Sequence, residues 1–307
     1  MLQKSSNCAV SQEVLKFLST SWKSYFNKKI GKTNPPKYKR KNGENVAYFN
    51  YTAFTVKKNG KVSFAKKCLP EVELPKPLFD VVKNNLSSEN KDVRRGSLCM
   101  IRVIPRVDHY VYEFIYEKKE RKLKLKRSNV LGIDLGVNNL VTCVSNLNLQ
   151  PFLIAGNVPK AINQFYNKQR SHYSSIKDLQ GYNFETKRLR TITDKRNRKV
   201  KDFFHKTSAF IVKYCIQHNI GRIVIGYNTE WKQEVKLGKR NNQNFVQLPF
   251  LKLVEMIKYK AKLVGMLVYT THESYTSKCS ALDGESIEHH DKYIGKRLQR
   301  SVFRTVA

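Results

Sequence analysis

The stretch NVLGIDLGVNNLVTCVS, Asn129–Ser145, holds two apolar runs, Asn129–Leu135 and Leu140–Ser145, around the small polar turn Gly136-Val137-Asn138-Asn139. Runs of this length, rich in Val, Ile and Leu and separated by turn residues, predict two antiparallel strands, and Gln150–Ala155 supplies a third strand of the same meander. A long helical region follows, Pro159–His218, whose later part places Val200, Phe203, Phe204, Thr207, Phe210, Ile211, Tyr214 and Cys215 on one face. Next come a buried strand at Arg222–Tyr227 and a helix from about Leu248, with Pro249 in its first turn and Leu251, Val254, Ile257, Ala261 and Val264 as its stripe. Gly265 ends that helix, Met266–Thr271 forms another strand, and His272–Ala307 has little periodicity. Three strands, long helices, strand, helix, strand: the order predicts a mixed α/β sheet of the ribonuclease H type over residues 128–307.

Asp134 ends the first strand, between small residues in GIDLG (132–136) that leave its carboxylate uncrowded. Two readings fit, a turn-capping strand-end aspartate and a metal ligand. Two-metal phosphodiester hydrolysis needs several carboxylates converging on the cations, so one aspartate is insufficient. Glu230, three residues beyond a strand in a basic loop, and Glu273, directly after the strand MLVYTTH, are the candidates for a second. Gly226, on the strand between, has no side chain and leaves room for Glu273 to reach Asp134, which favours Glu273.

The first 127 residues read differently. Ser11–Asn27 carries Val14, Leu15, Leu18, Trp22, Tyr25 and Phe26 at three- and four-residue steps, predicting an amphipathic helix over 11–27. Two prolines break it in the basic loop KTNPPKYKRK, Lys32–Lys41, with Lys37, Lys39 and Arg40. Strand-like runs at 46–56, 61–64, 99–103 and 110–116 make 45–117 β-rich, a barrel-like domain, with Asn59-Gly60 suited to a type I′ hairpin. The charge run KKERKLKLKR, Lys118–Arg127, is read equally as a solvated linker and as a phosphate contact.

Against 24 Asp and Glu stand 58 Lys and Arg, a formal charge of +34 on 307 residues. Self-repulsion on that scale calls for a polyanionic partner. The chain lacks the roughly 20 consecutive apolar residues of a spanning helix, so nucleic acid is expected rather than a membrane. The row Lys187, Arg188, Arg190, Lys195, Arg196, Arg198, Lys199 and Lys201, interrupted only by Asp194 and Asp202, favours phosphate tracking over a solvated face, which would mix signs. In the loop around Trp231, with Lys232 and Gln233, base stacking and packing of the indole onto its own domain are equally compatible readings. Six cysteines without a Cys-x-x-Cys pair indicate reduced thiols and no zinc, and the His272, Cys279, His289, His290 and Asp291 region lacks a standard ligand spacing.

Taken together, GIDLGVNNLVT (132–142), RNRKVKDFFHKTSAFIV (196–212), IVIGYNTEWKQ (223–233) with LGKRNNQNFVQLPF (237–250), and ESYTSKCSALD (273–283) resemble the TnpB family. These are RNA-guided DNA endonucleases of insertion sequences, related to type V CRISPR effectors. The resemblance implies a wedge-like β-barrel with a reduced helical segment, then a RuvC-like nuclease domain with Asp134 and Glu273 as catalytic, metal-holding carboxylates. It implies Mg²⁺ or Mn²⁺, a guide RNA from the transposon end, a double-stranded DNA target, no obligate protein partner, and a cytoplasmic, nucleoid-associated location. Base pairing then reads sequence while protein reads backbone.

Two departures from the family pattern are expected to matter. The family's final aspartate has no counterpart after YIGKRLQRSVFR (293–304), leaving Asp283 and Asp291 as poor substitutes, and an N-terminal strand expected before Gln12 is missing. The chain is thus expected to be cut short at both ends. The rival readings are a nuclease-dead RNA-guided DNA binder or decaying fragment, and a general basic RNA-binding protein.

Overall fold

A computed structural model describes residues 8–27, 34–38, 45–86, 98–117, 122–227, 248–276, 278–299 and 302–305. The chain divides into two compact units, Met1–Lys119 and Glu120–Ala307.

The first unit opens with helix α1, Cys8–Asn27. Its strands are β1 (Ala47–Asn50), β2 (Phe54–Val56), β3 (Lys61–Phe64), β4 (Val72–Glu73), β5 (Leu98–Pro105) and β6 (Tyr110–Tyr116), with helix α2 at Lys76–Leu86. Among the described residues they form two three-stranded antiparallel sheets, β1-β5-β6 and β2-β3-β4, in place of one closed ring. Phe49, Phe54, Val62, Phe64, Leu78, Val82, Leu98 and Ile101 fill their common core.

Three expectations change here. The β2-β3 turn is not type I′, which needs two residues of positive φ. Only Gly60 has one, at 82°, and its N–H donates to Lys57 O at 3.0 Å while Lys57 N–H donates to Lys61 O at 2.8 Å. Helix α2, unmarked in the sequence reading, buries Leu78 and Val82, one turn apart. Helix α1 forms, but its apolar stripe is not the face it packs with. Val14, Leu15 and Phe26 are 55%, 64% and 61% exposed, while Val10 packs on the core and Phe17 lies 4.2 Å from Tyr48, ring to ring. Glu13, buried, accepts from Asn50 Nδ2 at 3.3 Å and from Lys16 Nζ at 2.7 Å, which satisfies a carboxylate that burial would otherwise penalise.

The second unit is built on β7 (Lys126–Leu135), β8 (Asn139–Ser145), β9 (Phe152–Ala155), β10 (Ile220–Gly226) and β11 (Leu267–Thr271), in the order β9-β8-β7-β10-β11. The first three are antiparallel neighbours, whereas β10 runs parallel to β7 and β11 parallel to β10. Helices α3 (Asn157–Leu179), α4 (Lys187–Gln217) and α5 (Phe250–Leu263) complete it, with a small hairpin of β12 (Lys296–Gln299) and β13 (Val302–Arg304). The helical region expected as one block is two helices, broken at 180–186. Thr186 caps α4 by accepting from Leu189 N–H at 3.3 Å.

Leu131, Ile133, Leu135, Val141, Cys143, Ile223 and Ile225 of the sheet share one core with Val200, Phe204, Ile211 and Cys215 of α4 and Leu253, Val254 and Ile257 of α5. Leu251, expected on the α5 stripe, is 53% exposed; Phe250, Leu253 and Met256 are buried, rotating the contact face. No helix among the described residues is long and apolar enough to cross a membrane.

Candidate active site and nucleic-acid surface

In β7 the residues Leu131, Ile133 and Leu135 point into the core, so strand alternation puts Gly132 and Asp134 on the opposite face. Asp134 pairs with Thr142 of β8 on one side. On the other side Ile133 pairs with Ile225 of β10, so the next position along β10, Gly226, stands beside Asp134. Gly226 in turn pairs with Thr271, the last residue of β11, and Glu273 follows two residues later, returning to the same face. Three neighbouring strand ends thus converge on one point.

The missing side chain at Gly226 is what permits the convergence. A Cβ there would lie 2.8 Å from Glu273 Cγ and 2.9 Å from Cδ, closer than side chains tolerate. Glu273 folds over the bare backbone and hydrogen-bonds with Asp134. Burial, then the Asp134 charge and that hydrogen bond, raise the Glu273 carboxyl from 4.5 to about 7. Two carboxylates in contact resist joint ionisation, so one proton shared between them, or a cation in its place, relieves the repulsion. The donors are all hard oxygens, the set that suits Mg²⁺ or Mn²⁺ and not a soft metal.

Among the described residues there is no group of three or more His, Cys, Asp or Glu able to hold a metal. Asp283 is engaged by the Ser280 hydroxyl, and Cys279 donates to Glu288 O at 3.5 Å. The His290 imidazole contacts Ser286 O at 2.8 Å. The rival Glu230 lies outside the described residues, as do Lys39, Arg40, Trp231, Lys232 and Gln233.

Lys37 is exposed in the short segment 34–38. The other basic candidates lie on α4, where they have different employment. Lys187, Arg190, Lys195 and Lys199 are exposed. Arg198 pairs with Asp194 at 3.1 Å, and Arg188 donates to the Tyr173 hydroxyl at 3.0 Å with its guanidinium 5.0 Å from that ring. Arg196 turns inward: its Nε donates to Asn163 Oδ1 of α3 at 2.7 Å, it lies 5.7 Å from the Tyr166 ring, and burial lowers its pKa. It locks α3 to α4 instead of facing outward. Helical spacing could have separated it from its neighbours, since it stands seven residues after Leu189 and four before Val200, both buried. Lys206, paired with Asp202 at 2.7 Å, and Lys213, seven residues apart and both exposed, lie on the same helix beyond the stretch that the sequence singled out.

Residues 111–232 match the profile of a family described as probable transposase, OrfB_IS605. A TnpB-like protein of Methanocaldococcus jannaschii is 31% identical over 102 residues, covering 32% of this chain and 36% of that protein. Part of the chain is thus similar to the TnpB proteins. It spans about a third of the length of the TnpB-like protein it matches. Among solved structures, a Cas12f1–sgRNA–target DNA complex aligns with TM-score 0.59 at 15% identity, over 93% of this chain and 65% of that one. A CRISPR-Cas12f ternary complex aligns with TM-score 0.42 at 14% identity, over 90% of this chain and 62% of that one. The first likeness is one of fold, and it covers nearly the whole chain.

Proposed function

We propose that this chain is a TnpB relative, an RNA-guided DNA-binding protein whose second unit is a RuvC-like, ribonuclease H-type nuclease domain with Asp134 and Glu273 as its cation-holding carboxylates. The observation that carries the reading is the pair of carboxyls from β7 and the end of β11 meeting over Gly226. A divalent cation held there would polarise a phosphodiester and lower the pKa of water. Asp134, on a strand inside the sheet, fixes one ligand position. Glu273, at the sheet edge with its carboxyl raised to about 7, would hold the cation from the other side once deprotonated. The basic side of α4 positions the backbone. From Lys187 to Lys199 it runs roughly 18 Å at 1.5 Å per residue, about five phosphates at 3.4 Å along one strand.

The guide is proposed to be RNA from the transposon end and the target double-stranded DNA, as the relationship to TnpB suggests. The test is incubation of the purified protein with that RNA, a matching duplex and Mg²⁺. Cuts that vanish with Asp134→Ala support the reading. One observation favours a second reading, a nuclease-dead binder: among the described residues no third acidic or histidine ligand joins the pair. Guide-dependent binding without cuts establishes that alternative, and equal affinity for unrelated RNA reduces the protein to a general basic RNA binder.

A further inference from the structure

The α3–α4 hairpin ends in an apolar tip that neither the carboxylate pair nor the basic row uses. Leu179, Tyr182 and Phe184 are 88%, 45% and 63% exposed, within six residues of one another. The turn itself is well made: Gly181, at φ 71°, donates to Asp178 O at 3.0 Å and Tyr182 N–H donates to Lys177 O at 3.1 Å. The Tyr182 and Phe184 rings lie 5.2 Å apart at 46°, so each covers part of the other while their outer faces stay open. Large apolar side chains clustered on a turn, with no core beneath them, mark an interaction site.

The surroundings select the partner. The first turn of α4, immediately after the tip, contains Lys187, Arg188 and Arg190 and no acidic residue. Cations at that end of a helix are disfavoured by its dipole, a cost that an anionic neighbour removes. The nearby acids are Asp178, already paired with Lys177 at 2.9 Å, and Glu185, close to Arg170. Beyond the first turn the exposed lysines continue along the same helix at Lys195 and Lys199, and at Lys206, which pairs with Asp202 at 2.7 Å. Open π-faces next to a row of cations suit a ligand with flat apolar faces and a phosphate backbone. An acidic protein would match the cations but has no particular need of paired rings.

We infer that Tyr182 and Phe184 form a stacking platform for unpaired bases, at an end or junction of the nucleic acid whose backbone runs along α4. The inference rests on the nucleic-acid reading above and adds a contact that does not involve the carboxylates. Stacking on an exposed ring pair is indifferent to base identity, because every base has a π-face. The platform therefore distinguishes unpaired from paired nucleotides, not one sequence from another.

The test compares the intact protein with Tyr182→Ala/Phe184→Ala, using a short fluorescent duplex with a single-stranded overhang and the same duplex with blunt ends. The double variant is expected to bind the overhang substrate at least about fivefold more weakly, the low end of the loss for removing one base–aromatic stack. Blunt-duplex affinity, salt dependence and thermal midpoint are expected to stay unchanged, and Tyr182→Phe/Phe184→Tyr is expected to restore binding. Equal loss on both duplexes, or no loss on either, overturns the platform. So does an unchanged overhang affinity accompanied by lost binding to anionic phospholipid vesicles, which would assign the tip to a membrane surface. If the intact protein binds neither duplex, the nucleic-acid reading falls together with this inference.

Discussion

Replacing Gly226 by Ala isolates the geometry of the carboxylate pair from its chemistry. The added methyl would sit 2.8 Å from Glu273 Cγ and 2.9 Å from Cδ, so the glutamate must swing aside. Backbone strain is not the issue, because Gly226 is absent from the residues of positive φ. Ala in a strand interior gains roughly 0.5–1 kcal/mol over Gly, and an off-rotamer glutamate costs about 0.5–1.5 kcal/mol. These effects nearly cancel, so the melting temperature is expected to stay close to that of the unaltered protein. Function is expected to respond strongly, since a displacement of about 1 Å in a catalytic group can cost on the order of a hundredfold in rate. Contact with Asp134 accounts for part of the raised Glu273 pKa, so the carboxyl is expected to titrate below its present value of about 7. The assay is guide-dependent cleavage in Mg²⁺ beside a carbon-detected NMR titration of the Glu273 carboxyl. A variant that cleaves at the unaltered rate, with the Glu273 titration unmoved, refutes the steric reasoning.

Further outcomes follow from the same contacts. Because the Glu273 pKa is raised in the fold, from 4.5 to about 7, the folded state holds the extra proton in that window. Cation-free stability is therefore expected to fall as pH rises from about 4.5 to about 7, and thermal melts across that range, with and without Mg²⁺, read the effect. A flat profile contradicts the shared proton. Asp134→Asn removes the like charge but not the burial, so the Glu273 titration is expected to move down without reaching 4.5; an unchanged value in the NMR titration separates the pair. Arg196→Ala breaks the lock on Asn163 and is expected to cost about 1.5–3 kcal/mol in urea unfolding, the worth of a hydrogen bond to a charged group, while the salt slope of binding stays the same. Lys199→Ala is expected to do the reverse, lowering that slope by about one with stability unchanged.

How much of this was legible depended on whether a residue's surroundings come from its own strand or from elsewhere. The meander β7-β8-β9 was readable because alternation and the Gly136–Asn139 turn are local features. The meeting of Asp134 and Glu273 was foreseen from a steric gap at Gly226, a property that survives without knowing the partner's coordinates. The type I′ turn was not realised, since Asn59-Gly60 fits more than one hairpin geometry and only Gly60 took the left-handed conformation. The direction in which a helix packs was less legible. In α1 and α5 the apolar residues are wide enough to allow several faces, and the fold chose Val10 and Phe17 over Leu15, and Leu253 over Leu251. Arg196 reads like the phosphate candidates around it because a charge run hides which member points inward. The tip at Leu179–Phe184 is hidden in the sequence for the opposite reason, lying where the periodicity predicts one long helical region.

Whether Asp134 and Glu273 hold one cation together is the question on which the nuclease reading turns. Titrating Mn²⁺ onto the protein free of nucleic acid, followed by electron paramagnetic resonance, measures this for the unaltered chain, Asp134→Ala, Glu273→Gln and the double variant. One bound ion, lost in either single variant and lost no further in the double, is the predicted result. Mn²⁺ binding that persists when either carboxylate is removed would contradict the shared site.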